Sequence, residues 1–352
     1  MTPPGLFGLI NSNRDFTSKD CWGKNQFNSS FPAALCNYLY SKKLCLNFII
    51  LDKSLKTIHK KLKTEELYDI NPTAPNIFFA FETAYSDYQP LVIGTLPRVD
   101  LVIQNQNTGK HLSPIEIKLT ALPDNSTCDL NEDKYGTELV IRPDTIVYLA
   151  CSICTLFSKN KGYLNRILTK NISISNWSNQ SEVLSQLINM TKNLDTIALK
   201  LIKEQKPLVL QPIWKTNGKS LKLANNCLDV FVWSNLAFIQ LFIDVGRSEL
   251  SKGSISRQIR TIIWLYKMIL DFSITGQFNF SKIIDELSYN TKNDKAFAVN
   301  GKVTHPYMKS PELKKPRIKN NEIKKIILGG GQTLLSPERR FDSVIFSSPE
   351  LF

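Results

Sequence analysis

The stretch 94–120 constrains what this chain can fold into more than any other. It reads Gly94-Thr-Leu-Pro-Arg-Val-Asp-Leu-Val-Ile-Gln104, then the polar turn Asn105-Gln-Asn-Thr-Gly109, and ends Pro114-Ile-Glu-Ile-Lys-Leu-Thr120. Each half alternates with period two, the pattern of a strand with two distinct faces. Val99, Leu101 and Ile103 share one face of the first strand, and Asp100 lies on the other. Ile115, Ile117 and Leu119 share one face of the second, with Glu116 and Lys118 pointing away from it. The turn residues between them let the chain double back. Once paired, the two strands bring Asp100, Glu116 and Lys118 to one side of a sheet.

Two carboxylates and an ammonium at that spacing suit metal-assisted cleavage of a phosphodiester. Magnesium takes oxygen ligands, keeps several waters, and needs only one or two carboxylates to hold it against a phosphate. Bound there, it lowers the pKa of a water and offsets charge on the departing oxygen. A nearby lysine adds a cation for the developing charge, or helps orient and deprotonate the water. The spacing therefore predicts Asp100 and Glu116 as ligands, the Ile117 carbonyl as a further one, and Lys118 as the water-side group. Glu82, which ends the apolar run 76–82, is a candidate third carboxylate. A plainer reading stands beside this one. Glu-X-Lys on an exposed strand face is a common solvated pattern, and a lone acid after an apolar run is commonly a surface residue.

Charge points the same way without naming a target. Lys and Arg outnumber Asp and Glu by 44 to 31, a formal net charge of +13. Such an excess favours a polyanionic partner, because basic side chains that meet phosphates release condensed counterions. The 352 residues, 42% of them hydrophobic, give room for one large globular domain or two ordinary ones. Seven cysteines at scattered spacing argue against a disulfide framework and for a reducing compartment. Cys151-Ser-Ile-Cys154 has no second pair and reads as packed thiols. The N-terminus lacks a basic signal region, and the longest apolar run, 145–157, is too short to span a bilayer. A cytoplasmic protein with no membrane partner is expected.

In chain order, residues 1–31 mix Asn, Ser and Gly with charged and aromatic side chains, either a nucleic-acid-contacting loop or an ordered surface loop capped by Trp22 and Phe27. Pro32 is placed to open a helix over 31–40. A strand is expected at 46–51, a lysine-rich solvated helix or loop at 53–67, and a solvated acidic loop at 124–136. Further strands are expected within 138–144 and at 207–214 and 228–233. Helices are expected at 145–157, 182–204 and 255–272, the last carrying Arg260, Trp264 and Lys267 in a packing role. From 290 to 325 the chain becomes basic and proline-punctuated, with too few apolar residues for a core of its own. Arg142 could reach a phosphate or pair with Asp144.

Asp100 with Glu116-Ile-Lys118 resembles the Asp…Glu-X-Lys signature of restriction-endonuclease-like nucleases, although Val99 stands where that signature usually has proline. More specifically, Pro4-Gly-Leu-Phe-Gly8, Asn11-Ser-Asn-Arg-Asp-Phe16, Trp22-Gly-Lys-Asn-Gln-Phe-Asn-Ser-Ser-Phe-Pro32, Leu96-Pro-Arg-Val-Asp100, Glu116-Ile-Lys-Leu-Thr-Ala-Leu-Pro-Asp124 and Arg142-Pro-Asp-Thr-Ile-Val-Tyr148 resemble the HindVP-type restriction endonucleases. The likeness is dense over 3–155 and thin beyond.

The resemblance implies an α/β fold with a restriction-endonuclease-like core. Its mixed central β-sheet would be flanked by helices, followed by a mostly helical C-terminal half and a basic C-terminal arm. Residues 1–160 would form the nuclease core with a DNA-contacting N-terminal loop, 161–290 a second half integrated with it, and 291–352 the arm. It implies a type II enzyme that cuts double-stranded DNA with Mg2+ at the palindrome GRCGYC, acting as a homodimer beside a cognate DNA methyltransferase. A two-fold protein is the simplest reader of a two-fold site. Asp100, Glu116 and Lys118 take the family's catalytic positions. Arg14, Lys24, Asn25 and Gln26, with Arg98 and Arg142, are the candidate DNA contacts. The alternatives are a repair or junction-resolving nuclease with the same core, and a non-catalytic basic DNA-binding protein.

Overall fold

The computed structural model describes residues 34–69, 71, 74, 76–118, 120–123, 138–216, 223–250, 253–289, 291, 297–300, 307 and 311–329. Among these, nine strands join in one mixed sheet. Its first five strands are β1 (Leu46–Leu51), β2 (Thr57–Leu62), β3 (Ile77–Thr83), β4 (Val99–Asn105) and β5 (His111–Ile117). The later ones are β6 (Thr120–Pro123), β8 (Pro207–Thr216), β9 (Leu223–Ser234) and β11 (Ile318–Lys319). The order across the sheet is β2-β1-β9-β8-β5-β4-β3, with β6 also on β8 and β11 also on β9. The joins β1–β9, β5–β8 and β6–β8 are parallel and the others antiparallel. A separate two-stranded ribbon pairs β7 (Glu138–Ile141) with β10 (Phe297–Asn300).

The alternation of side chains along each strand sorts them into two cores. On β9, Phe231 and Trp233 belong to one and Val230 and Val232 to the other. Because both faces are covered, the β9 run Leu228–Trp233 is apolar on both sides and reads as a nearly continuous hydrophobic segment. The first core is built largely by helices α3 (Pro143–Leu156), α4 (Lys161–Leu168), α5 (Gln180–Lys200), α6 (Asn235–Glu249) and α7 (Arg257–Thr275). Under the opposite face lie α1 (34–41), α2 (Thr64–Tyr68) and the segment carrying Ile318, Ile323 and Ile326. Among the described residues no helix is long and apolar enough to cross a membrane.

Local chemistry sets where the core helices begin. Ser234 and Ser256 accept from the backbone N–H groups of Ala237 and Ile259, capping α6 and α7. Gly276, at φ 89, closes α7 in the left-handed conformation. Pro143 occupies the first turn of α3, where its missing N–H costs no helical bond. Every α3 residue from Thr145 to Cys154 is buried. Each large apolar side chain among them contributes about 1.5–3 kcal/mol of transfer free energy. Cys151 and Cys154 are free, buried thiols within this helix.

The expected strand at 46–51 and the helices near 145–157, 182–204 and 255–272 are present, with ends shifted by a few residues. Residues 53–67 differ. They form the lysine-bearing strand β2 followed by the short helix α2. Lys60 and Lys61 sit on a strand at the sheet margin, where charged side chains are tolerated and discourage further pairing. Solvation alone therefore does not separate a loop from an edge strand. Leu101 and Ile103 share the second core as their spacing predicts, but Val99 packs into the first. It is the first residue of β4, where the chain enters from the Pro97 loop.

The segment after Pro311 is fastened to the sheet by charge as well as by β11. Arg317 Nη2 lies 2.5 Å from Asp229 Oδ1, with the aspartate side chain 2% exposed and the arginine 24%. Removing the arginine strands a carboxylate in the interior. Arg317→Ala should lower unfolding free energy by about 2–3 kcal/mol, somewhat below a fully dry pair because the guanidinium is partly wet. Adding Asp229→Asn should recover part of that loss in denaturant melts. A single variant as stable as wild type would show the pair holds nothing.

Candidate active site

The 94–120 stretch forms the expected hairpin, β4 pairing antiparallel with β5 in the register Leu101↔Ile115, Val102↔Pro114 and Ile103↔Ser113. Its turn closes locally: Asn105 Oδ1 accepts from the N–H groups of Asn107 and Thr108, and Gly109 takes φ 66. One further step along the register sets Asp100 opposite Glu116. The Ile117 N–H donates to Asp100 Oδ2 at 2.7 Å, joining the two arms at that point. Ile115 and Ile117 belong to the second core and Val102 to the first. By alternation, Asp100 and Glu116 lie on the face of the sheet that carries the large helices.

On its other side β5 runs parallel to β8, with Glu116↔Val209 and Ile117↔Leu210 in register. The Lys118 N–H donates to the Leu210 carbonyl at 3.0 Å. The pairing resumes in the same register at Thr120↔Ile213, so β6 continues the line of β5. Lys118 thus sits at a short interruption in a central strand. Its Nζ reaches back to Glu116 Oε1 at 2.5 Å, and the Thr145 hydroxyl of α3 donates to the same oxygen at 3.0 Å. The Lys118 and Glu116 side chains are 13% and 12% exposed, so the pair is largely shielded from water.

The charges respond to that shielding. Burial, and then the negative charge of Glu116, push the Asp100 carboxyl up to about 7. Burial acts on Glu116 in the same sense, but the Lys118 charge, its hydrogen bond and that of Thr145 outweigh it and leave Glu116 below its ordinary value. Lys118 is pulled down by burial and raised further by Glu116 and Asp100, so it remains a cation. Two carboxylates therefore share this ammonium, and the one less well served is the harder to ionise.

The remaining candidates are dispersed around this centre. Glu82 lies on β3, across from Asp100 in the register that pairs Phe81 with Leu101 and Thr83 with Val99. Its backbone is left-handed, at φ 39. Hydrogen bonds tie Asp100, Glu116 and Lys118 into one group, and Glu82 is not part of that set. Arg98 is exposed two residues before Asp100, and Arg142 is exposed at the N-terminus of α3. Burial and the Glu116 charge raise the Asp144 carboxyl, which places Asp144 within electrostatic reach of the site. Arg14, Lys24, Asn25 and Gln26 lie outside the described residues, as does the acidic loop 124–136. Among the described residues no group of three or more His, Cys, Asp or Glu is arranged to hold a metal ion.

Sequence reasoning did not find Thr145. Its signal was weak but present: a β-branched hydroxyl in the first turn of a helix whose next nine positions are all buried.

The HindVP restriction endonuclease family model matches residues 22–352 of this chain. The type II restriction enzyme HgiDI of Herpetosiphon aurantiacus is 46% identical over 353 residues, covering 100% of this chain and 98% of that relative. The probable type II restriction enzyme HindVP of Haemophilus influenzae is 44% identical over 349 residues, covering 99% of this chain and 95% of that relative. No solved structure matches the chain. A family model spanning nearly the whole sequence, and relatives aligned over almost all of both lengths, establish that the chain belongs to the HindVP restriction endonuclease family.

Proposed function

We propose that this chain is a type II restriction endonuclease that hydrolyses both strands of DNA at a short palindrome, GRCGYC being the expected target. The observation that carries the reading is the gathering of Asp100, Glu116 and Lys118 on one face of a hairpin, in a chain of this family. The α/β arrangement supports a restriction-endonuclease-like core, in which β8 and β9 join the hairpin's sheet.

The donor set fits a hard divalent cation such as magnesium. Two shielded carboxylates share the Lys118 ammonium, and Asp100 is left with its carboxyl near 7, a charge imbalance that a bound dication relieves. Asp100, Glu116 and the Ile117 carbonyl would hold it. When bound, such an ion supplies a Lewis acid that makes water more acidic and offsets charge on the departing oxygen. The protein's own groups do the rest. Asp100 and Glu116 are kept at one separation by the β4–β5 pairing. Lys118 stays protonated and offers its ammonium to the phosphate or to the attacking water. Glu82 stands near enough in the register to serve as an outer carboxylate.

Arg98 and Arg142 flank this centre on the exposed side and are proposed as phosphate contacts. Arg14, Lys24, Asn25 and Gln26 are proposed as further DNA contacts from their residue types alone. A homodimer matches a palindromic target. A methyltransferase of the same specificity would protect host DNA. In this reading 1–160 form the core, 161–290 support it, and 291–352 reach over the body or the DNA.

Incubating the protein with unmethylated phage DNA and magnesium, then sequencing the ends, tests the assignment. Cuts fixed at one short sequence are expected, whereas structure-directed cutting at junctions or lesions would favour a repair nuclease. Asp100→Ala, Glu116→Ala and Lys118→Ala should each lower single-turnover cleavage by at least about a hundredfold. DNA binding at saturating calcium should stay close to wild type, with the two carboxylate variants needing more of the ion to reach it. A fully active Asp100→Ala protein would remove the assignment.

The raised Asp100 carboxyl gives two pH predictions. A protonated carboxyl ligates poorly, so at limiting magnesium the cleavage rate should rise with pH through about 7. More magnesium should move that rise to lower pH, because the metal competes with the proton. A profile that is flat from about pH 6 to 8 at limiting metal would contradict it. In the folded state this carboxyl titrates at about 7 against an ordinary 3.8, so the fold favours its protonated form. Its stability contribution is present at low pH and is lost as pH rises through that window. Asp100→Asn should therefore melt above wild type at pH 8 without metal and show no such gain at pH 4. Equal melting temperatures at pH 8 would show that the carboxylate is not disfavoured.

A further inference from the structure

Helix α3 presents two buried hydroxyls toward the active-site hairpin, one turn apart. Thr145 donates to Glu116 Oε1 at 3.0 Å. Tyr148 donates to the Pro97 carbonyl at 2.9 Å and accepts from the Tyr85 N–H at 3.0 Å. Each is 1% exposed. Residues three apart on a helix share a face, so one turn of α3 touches both arms of the hairpin: Glu116 directly, and the chain three residues before Asp100. Burial raises the Tyr148 hydroxyl further above neutral pH, so it remains a donor to the Pro97 carbonyl.

The tie on the Glu116 side matters because of what Lys118 must do. Glu116 Oε1 accepts from both Lys118 and Thr145. An ammonium that turns toward a phosphate or a water gives up its hold on that oxygen. Thr145 is then the donor that keeps the carboxylate in place. Thr145 is suited to this. It is β-branched and so restricted in side-chain rotation. It lies in the first turn of α3, the end of the helix that meets β5. The same helix end places its positive pole near the carboxylate.

We infer that Thr145 is a positioning residue: its hydroxyl holds Glu116 in the orientation that receives the metal, independently of Lys118. This rests on the nuclease reading above, and the test separates the two. Thr145→Val keeps the shape and removes the hydroxyl, and Thr145→Ser restores it. DNA binding followed by fluorescence anisotropy during a calcium titration reads metal affinity without cleavage, and single-turnover cutting across magnesium concentrations reads the rate. The Val variant should need about tenfold more metal in both assays and cut about 10–100-fold more slowly at limiting magnesium, the size of effect seen when a ligand's outer partner is lost. The Ser variant should return close to wild type. Thr145→Val with the wild-type metal dependence would overturn the inference while leaving the nuclease assignment intact. A wild-type protein without metal-dependent binding or cutting would overturn both. If Val lowers the metal-free melting temperature, Thr145→Ala against Thr145→Ser decides: rescue by Ser alone supports the hydroxyl's role, and equal metal dependence refutes it.

Discussion

Asp100 and Glu116 face each other across one antiparallel pair, and that placement forces two negative charges into a shielded site. The energetic consequence is visible in how unequally they ionise. Glu116 has Lys118 and Thr145 within hydrogen-bonding distance and stays anionic, while Asp100 has the Ile117 N–H and a titration near 7. Like charges brought together at low solvation raise the cost of ionising at least one of them. The surrounding fold tolerates that cost because the backbone leaves little choice. The register Leu101↔Ile115 sets the separation, and β8 holds β5 from the other side. A strand pinned on both edges cannot slip to relieve the repulsion, since a one-residue slip would carry Ile115 and Ile117 out of their core.

The helix layer explains why the site sits on the face it does. The β4 and β5 side chains on the opposite face, Leu101, Ile103, Ile115 and Ile117, belong to the second core together with residues of α1, α2 and the C-terminal segment. The face bearing the acids is covered by α3, whose apolar length packs into the first core and whose first turn meets Glu116. Catalytic geometry supported by a rigid helix and two paired strands is more exact than geometry carried on loops. Loops remain for the exposed arginines, Arg98 and Arg142, which border the rigid centre where a bulky partner can reach them.

Part of this was legible in the residues and part was not, for physical reasons. Period-two alternation is a local signal, and it located the hairpin, its turn and the side on which the acids meet. Long apolar or helical-period segments located α3, α5 and α7 for the same reason. Strand order is a non-local property. Nothing in 207–234 announces that β8 and β9 lie between the hairpin and β1. β2 was obscured because an edge strand can carry the exposed Lys60 and Lys61 at no packing cost, so its composition mimics a loop. Thr145 was hidden differently. A single hydroxyl among nine buried neighbours looks like core, and only the meeting of α3 with β5 gives it a partner.

The raised Asp100 carboxyl and the two hydroxyls of α3 describe one trade between stability and chemistry. A site that was merely stable would pair each carboxylate with its own cation, or replace one of them by an amide. This site leaves two acids on one lysine, a deficit that the proposed cation would relieve and that would strengthen its binding. Such an arrangement works only if the acids cannot turn outward to water when they are unpaired. The Thr145 hydroxyl and the Ile117 N–H each donate to one of the acids, and the Tyr148 hydroxyl fastens the backbone at Pro97, three residues before Asp100. These contacts hold the acids in a geometry whose electrostatics are unfavourable without a second cation, and under the proposed function that withheld free energy would appear as affinity for the ion.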